Sequence, residues 1–154
     1  MNNLIEVEIA VEICREDVIL PDYARLYDAG MDVCAACDVD ISPGETEIIP
    51  TGIKVAIPEG YEIQVRPRSG MSFKTPLRIP NSPGTIDAGY RDEIGIIMWN
   101  SAASSDNTQP YHISKGDRIA QLVLCQVPRI KFKLVDDVSE IGSNRGGGFG
   151  SSGK

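Results

Sequence analysis

The stretch TIDAGYRDEIGI sets one carboxylate, Asp87, between an apolar residue and Ala88-Gly89-Tyr90, just ahead of a run that reads as a strand. Asn81, Pro83, Gly84 and Gly89 are turn formers, so residues 81–90 are expected to form a tight hairpin. Such a hairpin turns backbone N–H and C=O groups toward a ligand instead of into a ladder. An aspartate presented there is available as a general base, although an isolated aspartate of this kind more often bonds its own turn backbone. In VRPRSGMSFK, Pro67 stops strand pairing, and Arg68, Ser69 and Gly70 follow with a planar fork of donors, a hydroxyl and an uncovered N–H. This set suits a phosphate cradle if a short helix opens there, and equally suits an exposed surface turn.

Other motifs lead nowhere. GFGSSGK satisfies the spacing of a phosphate-binding P-loop, but it has no strand before it, no helix after it and no following Ser or Thr. His112 lacks the Gly-x-Ser-x-Gly context of a catalytic triad and reads as structural. The pair in CAAC, Cys34 and Cys37, invites a zinc or redox reading. A structural zinc site needs four ligands, and only Cys14, Cys125 and one histidine remain. MDVCAACDVDI looks extended rather than helical, so the four cysteines are expected to be reduced, mostly buried thiols in a cytoplasmic protein.

The elements that must position these residues are strands. GIKVAIP and YEIQVRP alternate apolar and polar residues with period two, as half-buried strands do. IGIIMW and IAQLVLCQV are longer apolar runs, expected to be covered on both faces. SPGE, IPEG, NSPG and SKGD supply turns between them. Helix is confined to short candidates at 69–75 and 21–28. Strand after strand with short turns predicts an all-β, antiparallel sandwich or barrel of jelly-roll type, with 1–135 as the β-sandwich domain. The apolar surplus points to a symmetric homo-oligomer.

The 154 residues suit one domain, and no apolar run approaches the roughly 20 residues of a membrane span. The N-terminus, with acids inside its apolar stretch and no basic leader, does not read as a signal peptide. A net charge of −7 argues against binding DNA or RNA backbones, which require a broad basic surface. It leaves room for a small phosphate ligand in a local basic pocket, helped by a metal ion. After a linker at 136–144 the chain ends RGGGFGSSGK, whose glycines predict a loose tail at 145–154.

Five stretches, in order and covering almost the whole chain, resemble the five motifs of the trimeric all-β dUTPases: AGMDVCAA, PRSGMSFK, NSPGTIDAGYRDEIGIIMWN, GDRIAQLV and RGGGFGSSG. The resemblance implies a jelly-roll homotrimer with active sites built from several subunits, and Mg²⁺-dependent hydrolysis of dUTP to dUMP and pyrophosphate. It implies that Asp87 activates the attacking water and that Tyr90 packs on the deoxyribose, leaving no room for a 2′-hydroxyl. Asn81, Gly84, Thr85, Ile86 and Gly95 would line the uracil pocket, and Arg68, Ser69 and Gly70 would hold phosphate oxygens. Asp32 and Gln121 would act on the metal side through water. Phe149 would stack on uracil, while Arg145, Gly150, Ser151 and Ser152 contact phosphates, which makes the tail a lid.

Two departures stand out. Three residues, not the family's usual four, separate Arg145 from Phe149, and Asp92 stands where the family has glycine. The rival dCTP deaminase, of the same fold, would need its catalytic glutamate where this chain has Ile97. A regulatory protein that binds dUTP without hydrolysing it is the other alternative.

Overall fold

The computed structural model describes residues 4–105 and 109–148. In chain order its strands are β1 (Ala10–Ile13), β2 (Met31–Cys34), β3 (Val39–Ile41), β4 (Thr46–Pro50), β5 (Ile53–Ala56) and β6 (Tyr61–Arg66). A single six-residue helix, α1 (Ser69–Lys74), precedes β7 (Leu77–Arg78), β8 (Gly84–Ile86), β9 (Gly95–Asn100), β10 (Tyr111–Ile113) and β11 (Arg118–Gln126). Every described strand pairing is antiparallel. The expected all-β jelly-roll-like architecture is present as a four-stranded sheet β2-β11-β6-β8, a three-stranded sheet β4-β9-β7, and the pairs β1-β5 and β3-β10.

Alternation decides which face of each strand is covered. In β5 and just beyond it, Ile53, Val55 and Ile57 are buried while Lys54 and Ala56 are only partly so. In β6, Ile63 and Val65 enter the core. They meet Ile49, Ile96 and Met98 of the three-stranded sheet in one apolar cluster that also takes in Ile41, Ile113, Ile119 and Leu122. The turns are set by the sequence signals that punctuate it. In IPEG and SKGD the Tyr61 and Asp117 N–H groups close turns onto Pro58 and Ser114 carbonyls. Gly60 and Gly116 sit there at φ of 86° and 90°, a left-handed conformation that glycine adopts without steric cost.

Several expectations are corrected. IGIIMW is not covered on both faces: Ile96 and Met98 are buried, Ile97 is partly covered and Trp99 is exposed. The sheet it belongs to has core on one side only within this chain. IAQLVLCQV does bury consecutive residues, Ile119 with Ala120 and Leu122 with Val123, helped by a bulge between Arg118 and Ala120 and by strands on both edges. Residues 21–28 form no helix; their one regular contact is a bridge from Asp22 to Asp32. Residues 81–90 do not pair with themselves as a hairpin. β8 pairs with β6, whereas β9 pairs with β4 and β7, so the chain crosses between sheets after Ile86. The four cysteines are free as expected, but only Cys34 is buried, and burial pushes its thiol pKa up. The last strand ends at Gln126, and among the described residues beyond it only Val138–Glu140 forms a short 3-10 turn.

Asn100 is the polar rivet of the core, only 1% exposed. Its Nδ2 donates to the Ile41 carbonyl at 2.9 Å and its Oδ1 accepts the Ala102 N–H at 3.1 Å, tying β9 to β3. Asn100→Ala is expected to lower the unfolding free energy by about 1–3 kcal/mol, because it strands both backbone groups. Urea unfolding measures this. Across the β3–β10 pair, His112 Nδ1 lies 2.7 Å from Asp40 Oδ1, and that hydrogen bond raises the histidine pKa. The folded chain therefore holds the proton more tightly. The resulting stability is fully present below the unfolded pKa and disappears as pH rises through the folded value. Thermal midpoints should thus fall from about pH 6 to about pH 8, and the slope should flatten in His112→Ala.

Candidate functional site

Six residues singled out in the sequence, Asn81, Gly84, Thr85, Ile86, Tyr90 and Gly95, line one hollow of about 170 Å³, with Val65 and Ile94 as its apolar wall. β6 places the hollow, since Val65 faces Gly84 and Gln64 faces Thr85 across the ladder. The glycines leave its space. A Cβ on Gly84 would stand 3.1 Å from Asn81 Nδ2 and 3.2 Å from Val65 Cβ, so any side chain there would press on the asparagine amide. A Cβ on Gly95 would come within 2.5 Å of Ile48 Cγ2.

The loop between β8 and β9 carries the candidate base and the aromatic. The Tyr90 N–H donates to the Asp87 carbonyl at 3.0 Å, closing a turn. The Tyr90 hydroxyl donates to the Glu93 carbonyl at 2.9 Å. Asp87 is exposed, and among the described residues its carboxylate has no hydrogen-bond or ion-pair partner, so it does not cap its own turn. It opens not into the hollow but into the adjoining cleft of about 610 Å³, with Tyr61, Glu62, Ala88, Val127 and Arg129. Asp92 is exposed; the Lys54 pKa is raised chiefly by the hydrogen bond to Glu12, and Asp92 adds only a minor contribution.

A second cluster lies along the same sheet. Asp32 on β2 faces Gln121 on β11, which faces Arg66 on β6. Directly opposed residues share a face, so Asp32 and Gln121 stand on the polar side of the sheet. Arg68 Nε donates to Asp32 Oδ1 at 2.9 Å, and Arg118 Nη1 lies 3.5 Å from Asp32 Oδ2. Arg68 is also the extended residue that opens α1, and no side chain caps the helix. The N–H groups of the exposed Ser69 and Gly70 therefore have no partner within the helix.

None of Asp32, Arg68, Ser69, Gly70 or Gln121 lines the hollow at β8, so the single chain gathers the predicted residues into two groups. Strands β2 and β8 are three ladder spacings apart, roughly 14 Å. Arg145 is exposed. Phe149, Gly150, Ser151 and Ser152 lie outside the described residues. Arg118 opens β11, the same strand that carries Gln121, and nothing in GDRIAQLV as a sequence marks it for a role at the site. Nor does the sequence mark the fork between Arg15 and Glu93, with contacts of 2.6 and 2.9 Å across 78 residues. No local pattern reveals a pair so far apart.

The dUTPase family profile matches residues 16–153. The deoxyuridine 5′-triphosphate nucleotidohydrolase of Leifsonia xyli subsp. xyli is 50% identical over 135 residues, 87% of this chain and 85% of the relative. That of Clostridium tetani is 43% identical over 150 residues, 97% of this chain and 99% of the relative. Among solved structures, a mutant dUTPase of Staphylococcus bacteriophage 80alpha with dUpNHpp superimposes with a TM-score of 0.85 at 31% identity, covering 96% of this chain and 99% of that one. A mutant dUTPase of Staphylococcus aureus phage phi11, described with a structural Mg(II) ion, gives 0.80 at 31% identity over 86% and 99%. The chain belongs to the dUTPase family.

Proposed function

We propose that this chain hydrolyses dUTP to dUMP and pyrophosphate by attack of water at the α-phosphorus. The observation that carries the reading is the hollow at β8: its six sequence-predicted residues adjoin or belong to a loop whose aspartate has no partner among the described residues. Asp87 takes the proton from the attacking water. Asn81 and the backbone of Gly84, Thr85, Ile86 and Gly95 receive uracil, and cytosine in the same place would leave buried donors and acceptors unpaired. Tyr90 lies against the sugar. Arg68, Ser69 and Gly70 hold phosphate oxygens.

Magnesium fits the donor set in one way. Among the described residues no group of three or more His, Cys, Asp or Glu could hold a metal by itself. Asp32 and Gln121 would face the ion through its bound waters, and the substrate's phosphates would supply the hard oxygen ligands. When bound there, the ion would offset triphosphate charge.

The two groups of site residues stand apart in one chain, which supports a homotrimer whose sites join the β8 hollow of one subunit to the Asp32–Arg68–Gln121 group of another. In this reading 1–135 is the catalytic domain, 136–144 a linker and 145–154 a lid. Phe149 stacks on uracil, and Arg145, Gly150, Ser151 and Ser152 reach the phosphates. DNA and RNA are not partners. No described helix is long and apolar enough to cross a membrane, and we place the chain in the cytoplasm.

Pyrophosphate release across dUTP, dCTP, dTTP and UTP, with and without Mg²⁺, tests the reading, and it fails if dUTP is not the preferred substrate. Asp87→Asn should lower turnover roughly 10²–10⁴-fold, with an unchanged thermal midpoint. Removal of residues 145–154 should keep the fold and oligomer while losing most of the activity. Gel filtration and the same assay measure both, and an unimpaired truncation rules out the lid.

A further inference from the structure

The loop from Asp87 to Asp92 belongs to no strand, and Tyr90, 39% exposed, is its one aromatic facing the hollow. The loop's internal bonds join it only to itself. Tyr90 N–H reaches the Asp87 carbonyl, and the Arg91 guanidinium reaches the Ala88 and Tyr90 carbonyls. The position of the ring relative to the hollow therefore depends on the bond at the far end of the side chain, from its hydroxyl to the Glu93 carbonyl.

Glu93 is held from outside the loop. Its Oε1 accepts from Arg15 Nε at 2.6 Å and from the Gly52 N–H at 2.8 Å, and its Oε2 accepts from Arg15 Nη2 at 2.9 Å. The carboxylate thus takes three donors from two distant segments, one just after β1 and one between β4 and β5. The Arg15 fork, with burial opposing it, holds the Glu93 pKa below the usual carboxylate value. Gly52 is at φ 75°, and a Cβ there would overlap the Val18 side chain, so the backbone donor has little freedom to move. A bidentate guanidinium–carboxylate pair fixes orientation as well as distance, which a lysine in the same place cannot do.

We propose that Arg15 is a specificity-determining positioning residue: through Glu93 it fixes the Tyr90 ring against the sugar and so sets the discrimination between deoxyribose and ribose nucleotides. The inference rests on the reading of Tyr90 as the residue that lies against the sugar. Arg15 itself touches neither the hollow nor the Asp87 cleft. A ring tethered only by its backbone can swing aside for a 2′-hydroxyl. A ring tethered at both ends cannot. Misplacement of a group that shapes the sugar pocket changes the ratio of kcat/KM values for two substrates, whereas a general loss of stability changes the amount of folded protein and leaves that ratio alone.

The test measures kcat and KM for dUTP and UTP, together with thermal midpoints, for the wild type, Arg15→Ala, Arg15→Lys, Tyr90→Phe and the Arg15→Ala/Tyr90→Phe pair. The dUTP-to-UTP ratio of kcat/KM is expected to fall about tenfold in Arg15→Ala and in Tyr90→Phe, with no further fall in the double variant, since the Arg15 fork reaches the ring only through Glu93 and the Tyr90 hydroxyl. Arg15→Lys, which restores charge without the fork, should remain closer to the alanine variant than to the wild type. Should Arg15→Ala not accumulate as folded protein, Arg15→Gln takes its place with the same expectation. A wild-type ratio in the Arg15 variants, or independent additive losses in the pair, overturns the inference while leaving dUTP hydrolysis intact. A wild-type chain that leaves dUTP untouched sinks the functional reading and this inference with it.

Discussion

Val65 faces Gly84 across one edge of β6, and the next residue, Arg66, faces Gln121 across the other. A strand hydrogen-bonded on both edges cannot slip by one residue relative to either partner without turning its apolar set to solvent, because side chains alternate with period two. Ile63 and Val65 lie in the core, so the register is locked by burial. That lock fixes the hollow at β8 relative to the Asp32–Gln121 pair at the other side of the sheet. The rest of the site inherits its geometry from this strand: the apolar wall on one face, the polar row of Asp32, Gln121 and Arg66 on the other.

Charge at the polar group is partly offset within the chain. Asp32 lies between Arg68 and Arg118, so neither arginine is a free cation waiting for an anion, and the aspartate is not a free ligand waiting for a metal. For a chain of net charge −7 this local excess of positive charge is the exception. In the proposed reading a triphosphate with its own cation would enter such a group by exchange: phosphate would take arginine donors, and the aspartate would turn to water. No charge then needs to be left uncompensated at any point. Arg118 belongs in this exchange as much as Arg68 does, because removing it would leave Asp32 with one cation instead of two.

The strands and turns were legible because they rest on local signals. Alternation gave β5 and β6, and Gly60 and Gly116 closed the turns expected of IPEG and SKGD. Residues 81–90 misled for a physical reason. Asn81, Pro83, Gly84 and Gly89 mark turns correctly, but turn chemistry does not specify a pairing partner, and β6 offered Gly84–Ile86 a better edge than β9 did. IGIIMW misled because a run of apolar types cannot say whether the second face is covered by this chain. Of the site, the motif residues at 81–95 could be named in advance, since they sit on one segment and meet in one hollow. Arg15, Glu93 and Gly52 could not, because their meeting is a product of the whole fold.

The proposed lid meets a constraint that the sandwich does not. Ordering ten glycine-rich residues costs on the order of 10 kcal/mol, and stacking one aromatic ring on a base returns only ~1–3 kcal/mol. Closure must therefore draw on charge-assisted contacts to phosphate, for which Arg145 is the cation among the described tail residues. The spacer to Phe149 is one residue shorter than the family's, which removes up to about 3.5 Å of reach. Gly146 and Gly147 both stand at left-handed φ, 63° and 66°, and the Gly146 N–H is held by Asn144 Oδ1 at 2.9 Å. For Arg145 and a ring at 149 to engage one nucleotide together, that curl has to open toward extended backbone. Glycine passes between the two regions with no side chain to collide, so a three-glycine spacer is short in length and unobstructed in conformation. Any residue with a Cβ at 146 or 147 would favour a different φ from the one seen here, and the reach of Arg145 would then be set by that residue's preference instead of by the ligand.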